Sequence, residues 1–113
     1  MRTIYLFDVD GTLTQPLLKI NEDFAGVFID WVKIHKKEVY LVTGSDIKKT
    51  RHQLFAEFRN VCKGIFCCAG NELWDKNKLI YRNEFKASSQ LKEDLDLYLE
   101  NSDYKFKTGK HLE

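Results

Sequence analysis

The segment Asp8-Val9-Asp10-Gly11-Thr12 constrains this chain more than any other. It follows Thr3 to Phe7 (TIYLF), a β-branched, aromatic and continuously apolar run of the kind expected in a strand buried on both faces. A buried strand that breaks into two carboxylates and a glycine turn sets both carboxylates at the mouth of a sheet, with Pro16 closing the loop. The string Asp-x-Asp-Gly-Thr is expected by chance in about one in a thousand chains of this length. A calcium loop starting at Asp8 fails, because Leu13 stands where the turn glycine belongs and Lys19 where the bidentate glutamate belongs. A receiver-type signalling domain would need its acceptor aspartate after the third strand, where this chain has Ala69, Gly70 and Asn71.

The rest of the chain supplies a frame for that loop. Asn21 is placed to cap a helix whose first turn holds Glu22 and Asp23, with Phe24, Val27, Phe28, Trp31 and Ile34 at helical spacing. Glu38 to Val42 reads as the next strand. Thr43-Gly44-Ser45-Asp46 then leads into a helix with Ile47, Leu54, Phe55 and Phe58 on one face. Gly64 to Ala69 is a third apolar strand. This alternation predicts an α/β fold, a Rossmann-like parallel sheet with helices on both sides. Such sheets take ligands beyond the carboxyl ends of their strands, so Asp8, Thr43 and Asn71 should converge on one edge. Past that point the pattern changes. Glu72 to Trp74 and Leu79 to Arg82 read as a hairpin around a four-residue polar turn, Ser88 or Ser89 as the cap of a helix carrying Leu91, Leu95, Tyr98 and Leu99, and Tyr104 to Lys107 as the start of another strand.

Composition narrows the partners. Eighteen basic and seventeen acidic side chains leave a formal charge of +1, which gives no electrostatic basis for binding nucleic acid or an anionic membrane. No stretch approaches the roughly 20 apolar residues that span a bilayer, and no secretory signal fits the N-terminus, so a cytoplasmic protein is expected. Cys62, Cys67 and Cys68 have no metal-site spacing and read as small core residues of a reducing compartment. His35, His52 and His111 share no spacing and read as surface or boundary residues, and Lys33 to Lys37 as a solvated face.

A carboxylate can attack phosphorus to form an aspartyl phosphate, which a second acid/base group helps to resolve. Two carboxylates facing a phosphate dianion repel it unless a divalent cation intervenes, and hard oxygen ligands with phosphate specify Mg2+. Gly11 lets the backbone turn close to a ligand, and Thr12 offers a hydroxyl to fix the loop. Thr43 or Ser45, flanking Gly44, can donate to a phosphoryl oxygen. Thr and Ser cap helices everywhere, so these positions gain their meaning from Asp8 on the neighbouring strand.

Asp8 to Thr14 (DVDGTLT) resembles the first motif of the haloacid dehalogenase superfamily, and more narrowly of the eukaryotic-type phosphomannomutases. The narrower resemblance extends through Gln15-Pro16, Lys19-Ile20, Val42 to Asp46, Ala69-Gly70-Asn71-Glu72, Arg82-Asn83 and Thr108-Gly109. It implies Asp8 as nucleophile and magnesium ligand, the Asp10 backbone carbonyl as a second ligand, the Asp10 side chain as acid/base, and Thr43 or Ser45 as the phosphate-binding hydroxyl. It also implies residues 1–82 as the first half of a catalytic core and 83–113 as the beginning of an α+β cap. The implied activity is interconversion of mannose 6-phosphate and mannose 1-phosphate.

Departures temper that implication. The superfamily uses a later lysine and a later acidic motif, and this sequence ends before them, so an incomplete enzyme is expected. Lys105, Lys107 and Lys110 fall in the cap-like segment. The family's arginine after the loop proline is Leu17 here, and the cap arginine before Gly109 is Thr108. Those two changes favour a sugar-phosphate phosphatase as the alternative, with water in place of a second sugar. A non-catalytic remnant that binds phosphate or a protein partner is the third reading, and an unpaired sheet edge favours a homodimer.

Overall fold

The computed structural model describes residues 2–84 and 86–102, and the predicted strand from Tyr104 to Lys107 lies outside them. The chain divides into two compact units, 1–83 and 84–113. In the first, β1 (Ile4–Asp8), α1 (Glu22–Ile34), β2 (Glu38–Val42), α2 (Ile47–Gln53), α3 (Ala56–Val61), β3 (Gly64–Cys67), β4 (Glu72–Asp75) and β5 (Lys78–Arg82) follow in order. The five strands form one sheet in the order β1-β2-β3-β4-β5. β1, β2 and β3 are parallel neighbours, and β4 and β5 continue the sheet antiparallel. The predicted α/β architecture, parallel at its start, is the one found.

α1 starts where Asn21 Oδ1 accepts the Phe24 amide at 2.9 Å. Its buried face is Ala25, Phe28, Ile29 and Val32 rather than the stripe expected from sequence; Val27 is 69% and Ile34 72% exposed. The difference follows from the aromatic contacts below the helix. Phe28 and Trp31 meet Phe7 and Tyr5 edge-on at 5.3 Å each, and Phe28 stacks on Phe58 of α3 at 4.9 Å. These contacts rotate the helix so that the smaller apolar residues beside Phe28 enter the core.

The single helix expected after Asp46 is instead two. Leu54 is fully buried in an extended conformation between α2 and α3, and its carbonyl accepts Arg59 Nε at 2.9 Å. β3 is shorter than expected, giving way after Cys67 to a 3-10 turn at Cys68–Gly70. There Cys68, Ala69 and Gly70 all take left-handed backbone, with φ of 53°, 55° and 92°. The hairpin turn is tighter than expected, Lys76-Asn77 alone linking β4 to β5, with Lys76 at φ 58°.

All three helices of this unit lie on one face of the sheet, with Tyr5, Phe7, Val39, Leu41 and Ile65 beneath them. The expectation of two covered faces is therefore corrected. β1 alternates, with Ile4 48% and Leu6 64% exposed. With Tyr40, Phe66 and Leu73 they line a shallow apolar trough on the uncovered side. In the second unit, α4 (Ser89–Glu100) is capped by Ser88, whose Oγ accepts the Leu91 amide at 3.1 Å, and none of its side chains is fully buried. No helix among the described residues is long and apolar enough to cross a membrane.

Candidate active site

Asp8 is the last residue of β1, exposed, and in register with Val42 at the end of β2. Parallel pairing thus sets Asp8 beside the start of the Thr43-Gly44-Ser45 turn. Beyond Asp8 the chain folds back over Val9, which is fully buried. The Val9 carbonyl accepts the amides of Thr12, Leu13 and Thr14 at 3.2, 2.9 and 3.1 Å. Gly11 closes the turn, donating to the Thr14 carbonyl at 2.8 Å from a φ of 78° that a residue with a Cβ adopts only with strain. Thr12 supports the loop through its backbone amide, with its side chain exposed. The hydroxyl turned onto the loop is that of buried Thr14, 3.5 Å from the Val9 carbonyl.

Asp10 is half-buried, and its Oδ1 accepts two donors, Gln53 Nε2 at 2.7 Å and the Leu17 amide at 3.0 Å. The Gln53 bond, then the Leu17 bond, hold the carboxyl below its ordinary range. Among the described residues the Asp10 carbonyl accepts none of the backbone hydrogen bonds within the loop, which go to the carbonyls of Val9, Thr14 and Gln15. Leu17, where an arginine was absent by comparison, has its side chain 61% exposed and its backbone at φ 64°.

Thr43 is buried, and its Oγ1 accepts the Ser45 amide at 3.1 Å. That hydroxyl shapes the turn, while half-buried Ser45 carries the more accessible one. The left-handed run after β3 points two amides back at this turn: Ala69 donates to the Thr43 carbonyl at 3.0 Å and Cys68 to the Ser45 carbonyl at 2.9 Å. Asn71 is tied to the end of β5, its carbonyl accepting the Asn83 amide at 2.7 Å and its Oδ1 accepting Asn83 Nδ2 at 3.1 Å. The strand ends carrying Asp8, Thr43 and Asn71 are thus neighbours on one edge. A hollow of about 420 Å³ beside the loop is lined by Thr12, Gln15, Leu18, Lys19, Asn21 and Phe24, and includes neither aspartate.

Among the described residues no group of three or more acidic, histidine or cysteine side chains gathers as a metal cage. The Asp8 carboxylate and the Asp10 carbonyl are two hard oxygens, a partial set that suits Mg2+, which commonly keeps several waters and binds substrate phosphate with one or two carboxylates. The thiols are unsuited to this work. Burial pushes Cys62 up to about 12 and Cys67 up to about 11, and all three cysteines are free.

Gln53 escaped the sequence reading. Its signal was a polar residue on the buried face of α2, in line with Ile47 and Thr50.

The fold as a whole is similar to that of known proteins. A phosphatase of the haloalkanoate dehalogenase superfamily from Bacteroides thetaiotaomicron aligns with a TM-score of 0.60 at 19% identity, covering 89% of this chain and 36% of that one. The fold is that of the haloacid dehalogenase superfamily. A sugar phosphatase of its subclass IIB aligns with a TM-score of 0.52 at 18% identity, over 74% of this chain and 32% of that one. In sequence, a phosphomannomutase from Babesia bovis is 32% identical over 80 residues, 71% of this chain. The chain spans 32% of that relative's length. No family model matches the chain. Within the haloacid dehalogenase fold, Asp8 stands at the end of the first strand and Ser45 just beyond the second.

Proposed function

We propose that this chain carries the nucleophile and the acid/base group of a magnesium-dependent phosphoryl-transfer site for phosphorylated hexoses, in the manner of a phosphomannomutase. One observation carries the reading: Asp8 is exposed at the carboxyl end of β1, in register with the residue that precedes Thr43-Gly44-Ser45. In this reading the Asp8 carboxylate attacks phosphorus and holds the phosphoryl group as an acyl phosphate. Asp10 moves the proton, and the Ser45 hydroxyl, on a turn shaped by Thr43, donates to a phosphoryl oxygen. Mg2+, held by the Asp8 carboxylate and the Asp10 carbonyl, supplies the positive charge that lets a phosphate dianion approach two carboxylates. The phosphomannomutase relative supports mannose 6-phosphate and mannose 1-phosphate as the substrate pair. A cytoplasmic setting suits the three free thiols, and residues 84–113 belong in this reading to a cap.

A sugar-phosphate phosphatase is the second reading. It is favoured by Leu17, which offers no cation to a second phosphate, and by the likeness in fold to a sugar phosphatase. Thr108, the other departure, lies outside the described residues.

The test is to incubate the chain with magnesium and, separately, each mannose phosphate and a reactive acyl phosphate, then to map any phosphate by mass spectrometry of the peptide around Asp8. Label on Asp8 with the isomeric sugar phosphate as product supports the mutase, and label with free phosphate supports the phosphatase. Phosphate binding without label in any arm supports a non-catalytic remnant and sinks both enzymatic readings.

A further inference from the structure

Besides the turn closed on the Val9 carbonyl, the loop from Asp10 to Ile20 is held by a residue distant in sequence. Gln53, the last residue of α2, is 1% exposed and meets the loop at three points. Its Nε2 donates to Asp10 Oδ1 at 2.7 Å and to the Leu18 carbonyl at 3.3 Å, and its own carbonyl accepts the Ile20 amide at 2.9 Å. Both amide hydrogens are thereby used. Oε1, by contrast, is buried with no hydrogen-bond partner among the described residues.

Turning the amide over would repair nothing. It would set Oε1 against a carboxylate and a carbonyl, neither of which has a hydrogen to give, and would strip Asp10 and Leu18 of their donor. The orientation of the amide is therefore dictated by Asp10. Buried acceptors without partners are uncommon in native proteins and costly. This one is the other end of a side chain fully committed to the loop.

The Asp10 carboxylate is as asymmetric as the amide that holds it. Oδ1 takes two donors, from Gln53 and Leu17, and Oδ2 takes none among the described residues. α2 is also capped by Asp46, next to Ser45, so one short helix of about 10 Å joins the turn that carries the Ser45 hydroxyl to the loop that carries Asp10.

We propose that Gln53 is a positioning residue: it anchors Oδ1 of Asp10 and so fixes the carboxylate with Oδ2 as the oxygen that exchanges a proton with substrate. The inference rests on the reading that Asp8 carries the phosphoryl group. When a hydroxyl or water attacks that phosphorus, a new P–O bond forms and the bond to Asp8 breaks with its electron pair returning to the Asp8 carboxylate. The proton of the attacking oxygen goes to Oδ2. Gln53 touches none of these atoms and acts only through Asp10.

The test uses the full chain with Gln53→Met, similar in volume but without a donor, and Gln53→Asn, which keeps the amide one methylene short. Nuclear magnetic resonance of the labelled chain reads the Leu17 amide and the Asp10 carboxyl carbon. Both variants are expected to shift these resonances and to speed hydrogen exchange at Leu17 about tenfold or more, as loss of support for a charge-assisted bond implies. The amides of Leu13 and Thr14, bonded to the Val9 carbonyl, keep their exchange rates. In an Asp10→Ala background Gln53→Met gives no further acceleration at Leu17. An acyl phosphate formed on Asp8 decays about tenfold more slowly in Gln53→Met, within the range of general acid/base effects. Unchanged resonances and exchange in both variants overturn the proposal, as does decay at the parent rate. Unfolding of both variants overturns it too, because Gln53 would then be a packing residue. If the parent chain takes no phosphoryl group on Asp8, the proposed function fails on its own, and the resonance arm still decides whether Gln53 sets the Asp10 carboxylate.

Discussion

A Cβ placed on Gly64 would lie 2.9 Å from Cδ1 of Leu73 on the neighbouring antiparallel strand. It would also meet the Tyr40 ring at 3.0 Å from the other side. The glycine is required by close approach, with β2, β3 and β4 sharing one crowded patch of the uncovered face. Gly64→Ala is expected to destabilise the chain by about 1–3 kcal/mol through overpacking. Leu73→Ala in the same chain should return part of that loss. Urea midpoints of the two single variants and the double variant measure this, and strict additivity would sink it.

The two aspartates of the loop differ in how they should respond to amidation. Asp8→Asn removes the oxygen that would bond to phosphorus, so no label from a reactive acyl phosphate is expected on the peptide around residue 8. Asp10→Asn keeps an acceptor for Gln53 and Leu17 and keeps the backbone carbonyl. Label should therefore still form on Asp8, with its decay slowed by about 10²–10⁴. Equal labelling of the Asp8→Asn chain, or label on Asp10, would overturn the assignment.

Asp10 also makes a prediction about acid. Its folded carboxyl titrates below the ordinary value of 3.8, chiefly because of Gln53 and next because of Leu17. The unfolded chain thus binds this proton more readily, so the stabilisation is present above pH 3.8 and is lost as pH falls below it. Glu38, held low by Arg2, titrates in the same acid range, so the comparison must isolate Asp10. The stability difference between the parent chain and Asp10→Asn should shrink as pH is lowered from 5 to about 2.5. Thermal midpoints across that range check it, and a difference independent of pH would contradict it.

The cysteines should separate by reactivity. Cys62 and Cys67 are buried, with thiols pushed up to about 12 and about 11, while Cys68 is half-buried and raised less. Thiolate is the reacting species. Iodoacetamide at pH 8, followed by peptide mapping over time, should label Cys68 first and leave Cys62 and Cys67 protected until the chain unfolds.

Leu6 is 64% exposed on the uncovered face of β1. Leu6→Lys should leave the unfolding free energy measured in urea within about 0.5 kcal/mol of the parent, as surface changes usually do. The same substitution should reduce self-association seen by sedimentation, since a charge on an edge strand opposes strand-to-strand pairing. A large loss of stability would mean that Leu6 is packed in solution.

Much of this geometry was legible because it is local. Asn21 and Ser88 cap their helices as their position before an amphipathic run implies, and β1, β2 and the β4–β5 hairpin fall within a few residues of where alternation and turn residues place them. What was illegible depends on distant partners. The break at Leu54 needs the Arg59 side chain and a buried slot for an extended leucine, and an apolar pair such as Leu54-Phe55 reads equally well as helix. The continuous apolarity of Thr3 to Phe7 predicted cover on both sides, yet Ile4 and Leu6 face outward, because apolarity reports what a residue tolerates and not whether a neighbour is present. At the site, Asp8 and Asp10 announced themselves through spacing, while Gln53 did not, since 43 residues separate it from the carboxylate it holds.

The strand order β1-β2-β3-β4-β5 is also the order of synthesis. Each strand, as it leaves the ribosome, finds the edge it needs already made and exposed by the one before it. Among the described residues, no strand is inserted between two that precede it in sequence. Loop closure is short from β3 to β4 and from β4 to β5, which lowers the entropy lost before those pairings are rewarded. The sheet can therefore assemble from its amino-terminal edge inward during translation, and the loop that carries Asp8 and Asp10 acquires its neighbouring strand as soon as Glu38–Val42 emerges.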